Sequence, residues 1–120
     1  MNERSSVGNL KISEDVIATI AGVAALEIEG VQKLSLPQAH MPILRKISKK
    51  AIDVAMNDDS IEIDIRVVLK FGAKITEVSA AIQSAVKESV QTMTGMAVSK
   101  INVLIDDIAF SRETQPQINQ

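Results

Sequence analysis

The clearest pattern in the chain is an alternation of apolar and polar positions between residues 61 and 70, with Val68 as the exception on the polar side. Its apolar members are Ile61, Ile63, Ile65, Val67 and Leu69. A period of two predicts a strand with one buried face and one polar face. A shorter alternation covers Ile52 to Met56, and the intervening Asn57-Asp58-Asp59-Ser60 has the composition of a turn. The two segments together predict an antiparallel hairpin.

Two other segments repeat apolar residues at spacings of three and four, which is the period of a helix. The first helix is predicted from Glu14 to Glu29, with Ser13 as its N-cap and Gly30 at its end. Its stripe comprises Ile17, Ile20, Ala21, Ala24 and Ile28, widened by Val16, Val23 and Leu26. The second helix is predicted from Lys74 to Thr94. Its stripe comprises Ile75, Val78, Ile82, Val86, Val90 and Met93.

A final strand is predicted from Val98 to Ile105, and a short leading strand from Gly8 to Ile12. Val31 to Leu34 is too short to assign. The core order is helix, strand, strand, helix, strand, an α+β fold in which two helices pack on one face of a small mixed sheet. The open face is expected to be polar. Residues 1–7 are expected to form a flexible N-terminus, 8–109 the single domain and 110–120 a polar tail.

The segment between Leu36 and Lys50 has no clear periodicity and carries the strongest local charge. Four cations fall in six residues, at Arg45, Lys46, Lys49 and Lys50. They are candidates for contact with an anion or a membrane, where each cation near a charged lipid surface contributes about 1 kcal/mol. The alternative is a solvated face of a short helix opened by Pro42. Salt-sensitive binding separates the two interpretations.

Composition removes most catalytic chemistry. The 120 residues include no cysteine, one histidine (His40) and two aromatic residues, Phe71 and Phe110, with a net charge of −2. The chain therefore lacks the side chains needed for a catalytic thiol, for a metal site made of several histidines and for the stacking of nucleic-acid bases. The acid pairs Asp58-Asp59 and Asp106-Asp107 are interpreted as solvated turn acids, and no glycine motif for phosphate is present. We predict no catalytic, cofactor-binding or metal-binding residues.

The same sequence contains no predicted transport or membrane signal. The longest weakly polar run, from Val16 to Leu26, is shorter than the roughly 20 apolar residues that a membrane span needs. The first residues are polar and lack the apolar core of a secretion signal. The expected compartment is the cytoplasm.

Two acids break a local rule at the end of the first helix. Glu27 and Glu29 lie where the helix dipole is already negative, which costs about 0.3–1 kcal/mol for each exposed acid. Local rules are often broken where function requires it. The candidate partner-binding residues are Val23, Leu26, Glu27, Glu29 and Gly30. The alternative is that the acids simply pair with a lysine such as Lys33.

Three motifs then occur in order along residues 8–108. They are Ile12–Val16 with Ile20–Val31 (Ile-Ala-Gly-Val-Ala-Ala-Leu-Glu-Ile-Glu-Gly-Val), Val67–Gly72 with Ile75–Val78 and Ile82-Gln83, and Met93–Met96 with Val98–Val103. This set resembles the alkaline shock protein / general stress protein family of Gram-positive bacteria. The resemblance implies a non-enzymatic scaffold or regulator in cell-envelope homeostasis and the stress response. It also implies protein partners, either a membrane-anchored protein at the inner membrane surface or acetyl-CoA carboxylase, with an effect on fatty-acid synthesis.

The predicted sheet suggests self-association, and two other functions remain as alternatives. Unpaired sheet edges predict homo-oligomers, because an edge strand can pair with a second copy. The element order also fits a small nucleic-acid-binding module of KH-like layout, although a G-x-x-G loop and stacking aromatics are missing. An enzyme would need a site made only of backbone groups and carboxylates.

Overall fold

The computed structural model describes residues 8–35 and 51–110. They form a four-stranded mixed sheet with two helices on one face, as the sequence predicts. In chain order the elements are α1 (Glu14–Leu26), β1 (Val31–Leu34), β2 (Ile52–Met56), β3 (Ser60–Lys70), α2 (Ile75–Thr94) and β4 (Ala97–Ala109).

Strand β3 is the centre of the sheet. β4 runs parallel to it along its whole length, with Ser60 opposite Ala97 and Lys70 opposite Ala109. β2 pairs antiparallel with its first half and β1 antiparallel with its second half. The predicted hairpin and the parallel crossover through α2 are both confirmed.

β1 and β2 meet at a single residue of β3. The Ser35 N–H donates to the Arg66 carbonyl (2.8 Å), and the Arg66 N–H donates to the Ala51 carbonyl (2.9 Å). Ser35 and Ala51 therefore lie beside the same residue of β3. β1 and β2 together form one edge of the sheet, each pairing with a different half of β3.

The core lies between the sheet and the two helices. The inward face of β3 is fully buried, and α2 contributes every fourth residue to the same cluster. The members with no exposed surface are Ile17, Ala21, Ala25, Ile61, Ile63, Ile65, Val67, Leu69, Ile82, Val86 and Val90. The period-two and period-four patterns of the sequence thus converge on one apolar layer.

The observed elements differ from the predicted ones in four main respects. α1 ends at Leu26 rather than Glu29, because the N–H groups of Glu27 and Ile28 bond three residues back and tighten the chain into a turn. The predicted strand at residues 8–12 is wrong: it pairs with no described strand, and Leu10 is 82% exposed. Val31 to Leu34 is a strand. β4 continues to Ala109, because β3 offers partners over its full length.

The helix ends follow their local chemistry. At the start of α1, the Ser13 hydroxyl accepts a hydrogen bond from the Val16 N–H (3.2 Å), which confirms the predicted N-cap. α2 ends at Gly95, whose φ of +76° gives the left-handed C-cap that glycine adopts without strain. The short helix proposed after Pro42, and the tail beyond Phe110, lie outside the described residues.

Candidate functional site

One face of α1 points away from the core although it is apolar. Val16, Thr19, Val23 and Leu26 follow one another at spacings of three and four, so they lie on the same side of the helix. Val16 is 49% exposed, Val23 55% and Leu26 48%. We call these four residues the α1 stripe. The sequence predicted Val16, Val23 and Leu26 as a widening of the core stripe; in the structure they form a second stripe on the outer side.

The threonine within the α1 stripe does not make it polar. The Thr19 hydroxyl donates to the Asp15 carbonyl one turn earlier (2.9 Å), so its hydrogen-bonding capacity is used inside the helix. Its methyl group remains as the surface that it offers to a neighbour. The α1 stripe is therefore an aliphatic surface about 15 Å long, at 1.5 Å per residue between positions 16 and 26.

Along the chain, the charges nearest to the α1 stripe are negative. Glu14 and Asp15 precede it, Glu27 and Glu29 follow it, and no lysine or arginine occurs between positions 12 and 32. Within residues 8–35 and 51–110 the one ion pair is Arg66 with Asp106, so the suggested pairing of these acids with Lys33 is not observed. Glu27 is the C-cap of α1, where a carboxylate is opposed by the helix dipole.

Gly30 sits behind this surface. It is buried, its φ is +102°, and a Cβ atom there would lie 2.8 Å from the Val78 Cγ2 atom. The Lys70 N–H donates to its carbonyl (2.8 Å), which ties the α1–β1 turn to the end of β3. Of the candidate partner-binding residues, the structure thus exposes Val23, Leu26, Glu27 and Glu29, and places Gly30 where it shapes the turn that presents them.

The two aromatic residues form an exposed pair that the sequence did not reveal. Phe71 and Phe110 stack with ring centroids 4.8 Å apart, and they are 61% and 62% exposed. The Phe71 N–H donates to the Ala109 carbonyl (3.0 Å). The sequence signal for this pair is the position of the two residues. Each phenylalanine comes directly after a strand, Phe71 after β3 and Phe110 after β4, and these two strands end side by side.

The open face of the sheet is polar, as predicted. It carries a shallow groove of about 300 Å³, whose polar lining comes from Asp53, Asp64, Arg66 and Asn102. The Asn102 amide donates to the Asp64 carboxylate (2.7 Å), and this bond joins β3 to β4. Asp53 and Asp64 lie opposite each other on β2 and β3, and the Asn102 amide bonds to Asp64, so the groove holds paired carboxylates but no nucleophile or histidine beside them among the described residues.

The acids at the end of β4 are structural. A bulge opposite Val67 and Val68 leaves Asp106 unpaired in the ladder, and its carboxylate accepts hydrogen bonds from Arg66 and Ser35. The Asp107 carboxylate accepts from the Ile108 N–H (2.8 Å). Both acids are exposed, as the interpretation of solvated acids predicts, but they lie within β4 rather than in a turn or at the end of a strand, because β4 continues to Ala109.

Two glutamines of α2 protect the outer edge of β4. The Val98 N–H donates to Gln91 Oε1, and the Gln83 amide donates to the Ile101 carbonyl, both at 3.0 Å. These are backbone groups that β3 does not use. Such side-chain caps block pairing with a foreign strand. On the β4 side of the sheet, the edge-pairing route to homo-oligomers is thereby limited to the part of β4 after Ile101, while β1 and β2 form the opposite edge.

The basic cluster Arg45, Lys46, Lys49 and Lys50 lies outside the described residues, as does His40. In the described part of the chain, no three His, Asp or Glu side chains gather in a way that could hold a metal ion. Neither described helix combines the length and apolar character needed to cross a membrane.

Several known proteins are similar to this chain in sequence or in structure. YqhY of Bacillus subtilis is 32% identical over 117 residues, which cover 95% of this chain and 87% of YqhY. Spy1614 of Streptococcus pyogenes is 35% identical over 106 residues, which cover 84% of this chain and 88% of that protein. YloU of Bacillus subtilis is 31% identical and is covered to 96%. Among solved structures, the MamM CTD has a TM-score of 0.49 at 12% identity, covering 78% of this chain and 94% of that chain.

A family model matches nearly the whole chain, from residue 2 to residue 110. It is the model of the alkaline shock protein 23 family, and its description is "cell envelope-related function". The match spans the α1 stripe, the Gly30 turn and the Phe71 turn together, in agreement with the motif resemblance. This chain belongs to the alkaline shock protein 23 family, whose function is related to the cell envelope.

Proposed function

We propose that this chain is a non-enzymatic scaffold or regulatory protein of cell-envelope homeostasis and the stress response. It acts by contact with other proteins, in the cytoplasm and close to the inner surface of the membrane. The single observation that carries the proposal is the α1 stripe with Glu27 and Glu29 beside it. An aliphatic surface with roughly half of each side chain exposed is costly to leave in water, and a partner protein that covers it removes that cost.

The rest of the molecule supports contact rather than chemistry. The open-face groove has a lining of mixed polar and apolar residues, and the sequence has no thiol and one histidine. The candidate partners are the two that the family resemblance implies, a membrane-anchored protein or acetyl-CoA carboxylase. No feature of the described residues favours the nucleic-acid-binding alternative over protein contact.

Site-specific photo-crosslinking in living cells tests the proposal. A photoreactive amino acid replaces Val23 in the α1 stripe, and a matched control places it at Lys87, an exposed position on α2. We expect one or a few proteins to be crosslinked from position 23, and this crosslinking to be lost when Glu27→Lys is added. Equal crosslinking from both positions, or none from position 23, would refute the proposal.

We also propose that the protein forms homo-oligomers. The free part of β4 after Ile101 and the exposed phenylalanine pair are the surfaces that support self-association. Light scattering over a range of concentrations tests this proposal. A mass of about 13 kDa at every concentration, equal to one chain of 12.9 kDa, would refute it.

A further inference from the structure

Beyond protein contact in general, the chemistry around the α1 stripe specifies a kind of partner. The aliphatic surface is bounded at its first end by Glu14 and Asp15, and at its last end by Glu27 and Glu29. All four acids are exposed. The surface thus has one apolar centre and the same charge sign at both ends.

The acids at the two ends differ in their local electrostatics. Glu14 and Asp15 lie in the first turn of α1, where the helix dipole is positive and stabilises them. Glu27 is the C-cap, and the last turn contains no basic residue, so the negative end of the dipole and the carboxylates add in the same direction. A cation at this end is attracted by Glu27, by Glu29 and by the negative end of the dipole. The C-terminal end of the α1 stripe is therefore the stronger half of the complementarity.

We infer that the α1 stripe binds a basic amphipathic helix of a partner protein. The partner's apolar side covers Val16, Val23 and Leu26, and its lysines or arginines reach Glu27 and Glu29. Helices that lay an apolar face on a hydrophobic surface present anchors at positions i, i+3, i+4 and i+7, which match the spacing of the α1 stripe. The inference rests on the proposed function and specifies the chemistry of the partner.

A pair of stapled helical peptides tests this inference directly. Each has fourteen residues and the same leucine and alanine face; the first carries lysine at both ends, and the second carries glutamate at the same positions. Stapling is needed because an isolated helix of this length is marginal in water. Isothermal titration calorimetry with the full chain should show binding of the lysine peptide at least about tenfold tighter than that of the glutamate peptide. The difference should shrink as salt is raised.

Variants of the protein locate the effect. Glu27→Lys combined with Glu29→Lys should abolish the preference, because Glu14 and Asp15 still attract the lysine peptide while the new lysines repel it. The matched control is Asp58→Lys with Asp59→Lys, which makes the same change in net charge at the exposed β2–β3 turn and should leave the preference unchanged. Val23→Ser should weaken both peptides. Backbone amide shifts in a heteronuclear NMR titration should concentrate in residues 14–30.

The outcomes separate this inference from the proposed function. If the lysine peptide has no advantage, or if the control variant changes the preference as much as the Glu27 and Glu29 variant, the inference is wrong. Crosslinking from position 23 in cells would then still support a protein partner of other chemistry. If the preference is present but position 23 crosslinks nothing in cells, the surface chemistry is upheld and the proposed function fails.

Discussion

Ser35 and Asp106, 71 positions apart, are joined by a hydrogen bond of 2.7 Å from the Ser35 hydroxyl to Asp106 Oδ2. Arg66 completes the cluster, with its Nη1 atom 3.2 Å from the same oxygen. The Arg66 backbone also bonds to Ser35 and to Ala51, so the junction of β1 and β2 lies at the same residue. One side-chain cluster therefore links β4 to this junction.

The hydrogen bond between Ser35 and Asp106 should stabilise the fold measurably. Ser35 is 7% exposed, so its hydroxyl is poorly placed to bond to water if the carboxylate is removed. We expect Asp106→Ala to lower the free energy of unfolding by about 1–2 kcal/mol, measured by urea denaturation. The Arg66 pair adds little, since the Arg66 side chain is 37% exposed.

A double-mutant cycle isolates the bond from other effects of the substitutions. Ser35→Ala and Asp106→Ala should together cost less than the sum of the single changes, with a coupling of at least about 0.5 kcal/mol. Asp58→Ala removes a carboxylate from an exposed turn and serves as the control, with a change within about 0.5 kcal/mol. Full additivity of the two changes would show that the bond does not contribute.

Gly30 should tolerate no side chain. Its φ of +102° is disfavoured for other residues, and the added Cβ would approach Val78 Cγ2 to 2.8 Å. We expect Gly30→Ala to cost more than about 2 kcal/mol, measured as a fall in the midpoint of thermal or urea unfolding.

Gly72 supplies the matched control for Gly30. Its φ is +93°, but a Cβ atom there has nothing within 4 Å. Gly72→Ala should therefore cost only the backbone strain, about 1–2 kcal/mol. Equal losses at the two positions would mean that the Val78 contact relaxes freely and that the turn is less rigid than its packing indicates.

The sequence predicted the elements whose pattern is local and missed the features that depend on register. The alternation in β3 and the four-residue repeat in α2 both come from burial on one side, so they appear directly in the residue order. The bulge that turns Asp106 toward Ser35 depends on how β4 is aligned with β3, and that alignment leaves no mark in the sequence.

The exposed side of α1 also could not be predicted from the sequence pattern. In the helical pattern, Val16, Val23 and Leu26 look like core residues. The hydrophobicity of a side chain indicates that it prefers to be buried, but it does not indicate which other residues cover it. The structure shows which side faces the sheet: Gly22 packs close to the ends of Ile52 and Leu34, and the opposite side of the helix is left open. Burial separates core residues from exposed ones, and only the folded chain provides it.

The two faces of the sheet should respond very differently to truncation. Ile63 in β3 is fully buried, whereas Leu104 in β4 is 47% exposed on the open face. Ile63→Ala should cost about 2–5 kcal/mol, since it removes buried methyl groups and leaves a cavity. Leu104→Ala should cost less than about 1 kcal/mol. Urea titration of both variants checks the difference, and a comparable loss at Leu104 would show that something covers this face in solution.

The glutamine caps on β4 lead to a prediction about self-association. Val98 and Ile101 have backbone groups that face away from β3, and Gln91 and Gln83 occupy them. Without those amides, the edge offers a longer unpaired stretch to a strand of a second molecule. Gln83→Ala with Gln91→Ala should therefore shift self-association to lower protein concentration, measured by sedimentation velocity. Ser84→Ala with Thr92→Ala, at two exposed positions of the same helix, is the control and should leave self-association unchanged. If the glutamine variant associates no more than the control, the edge is protected by something other than these side chains.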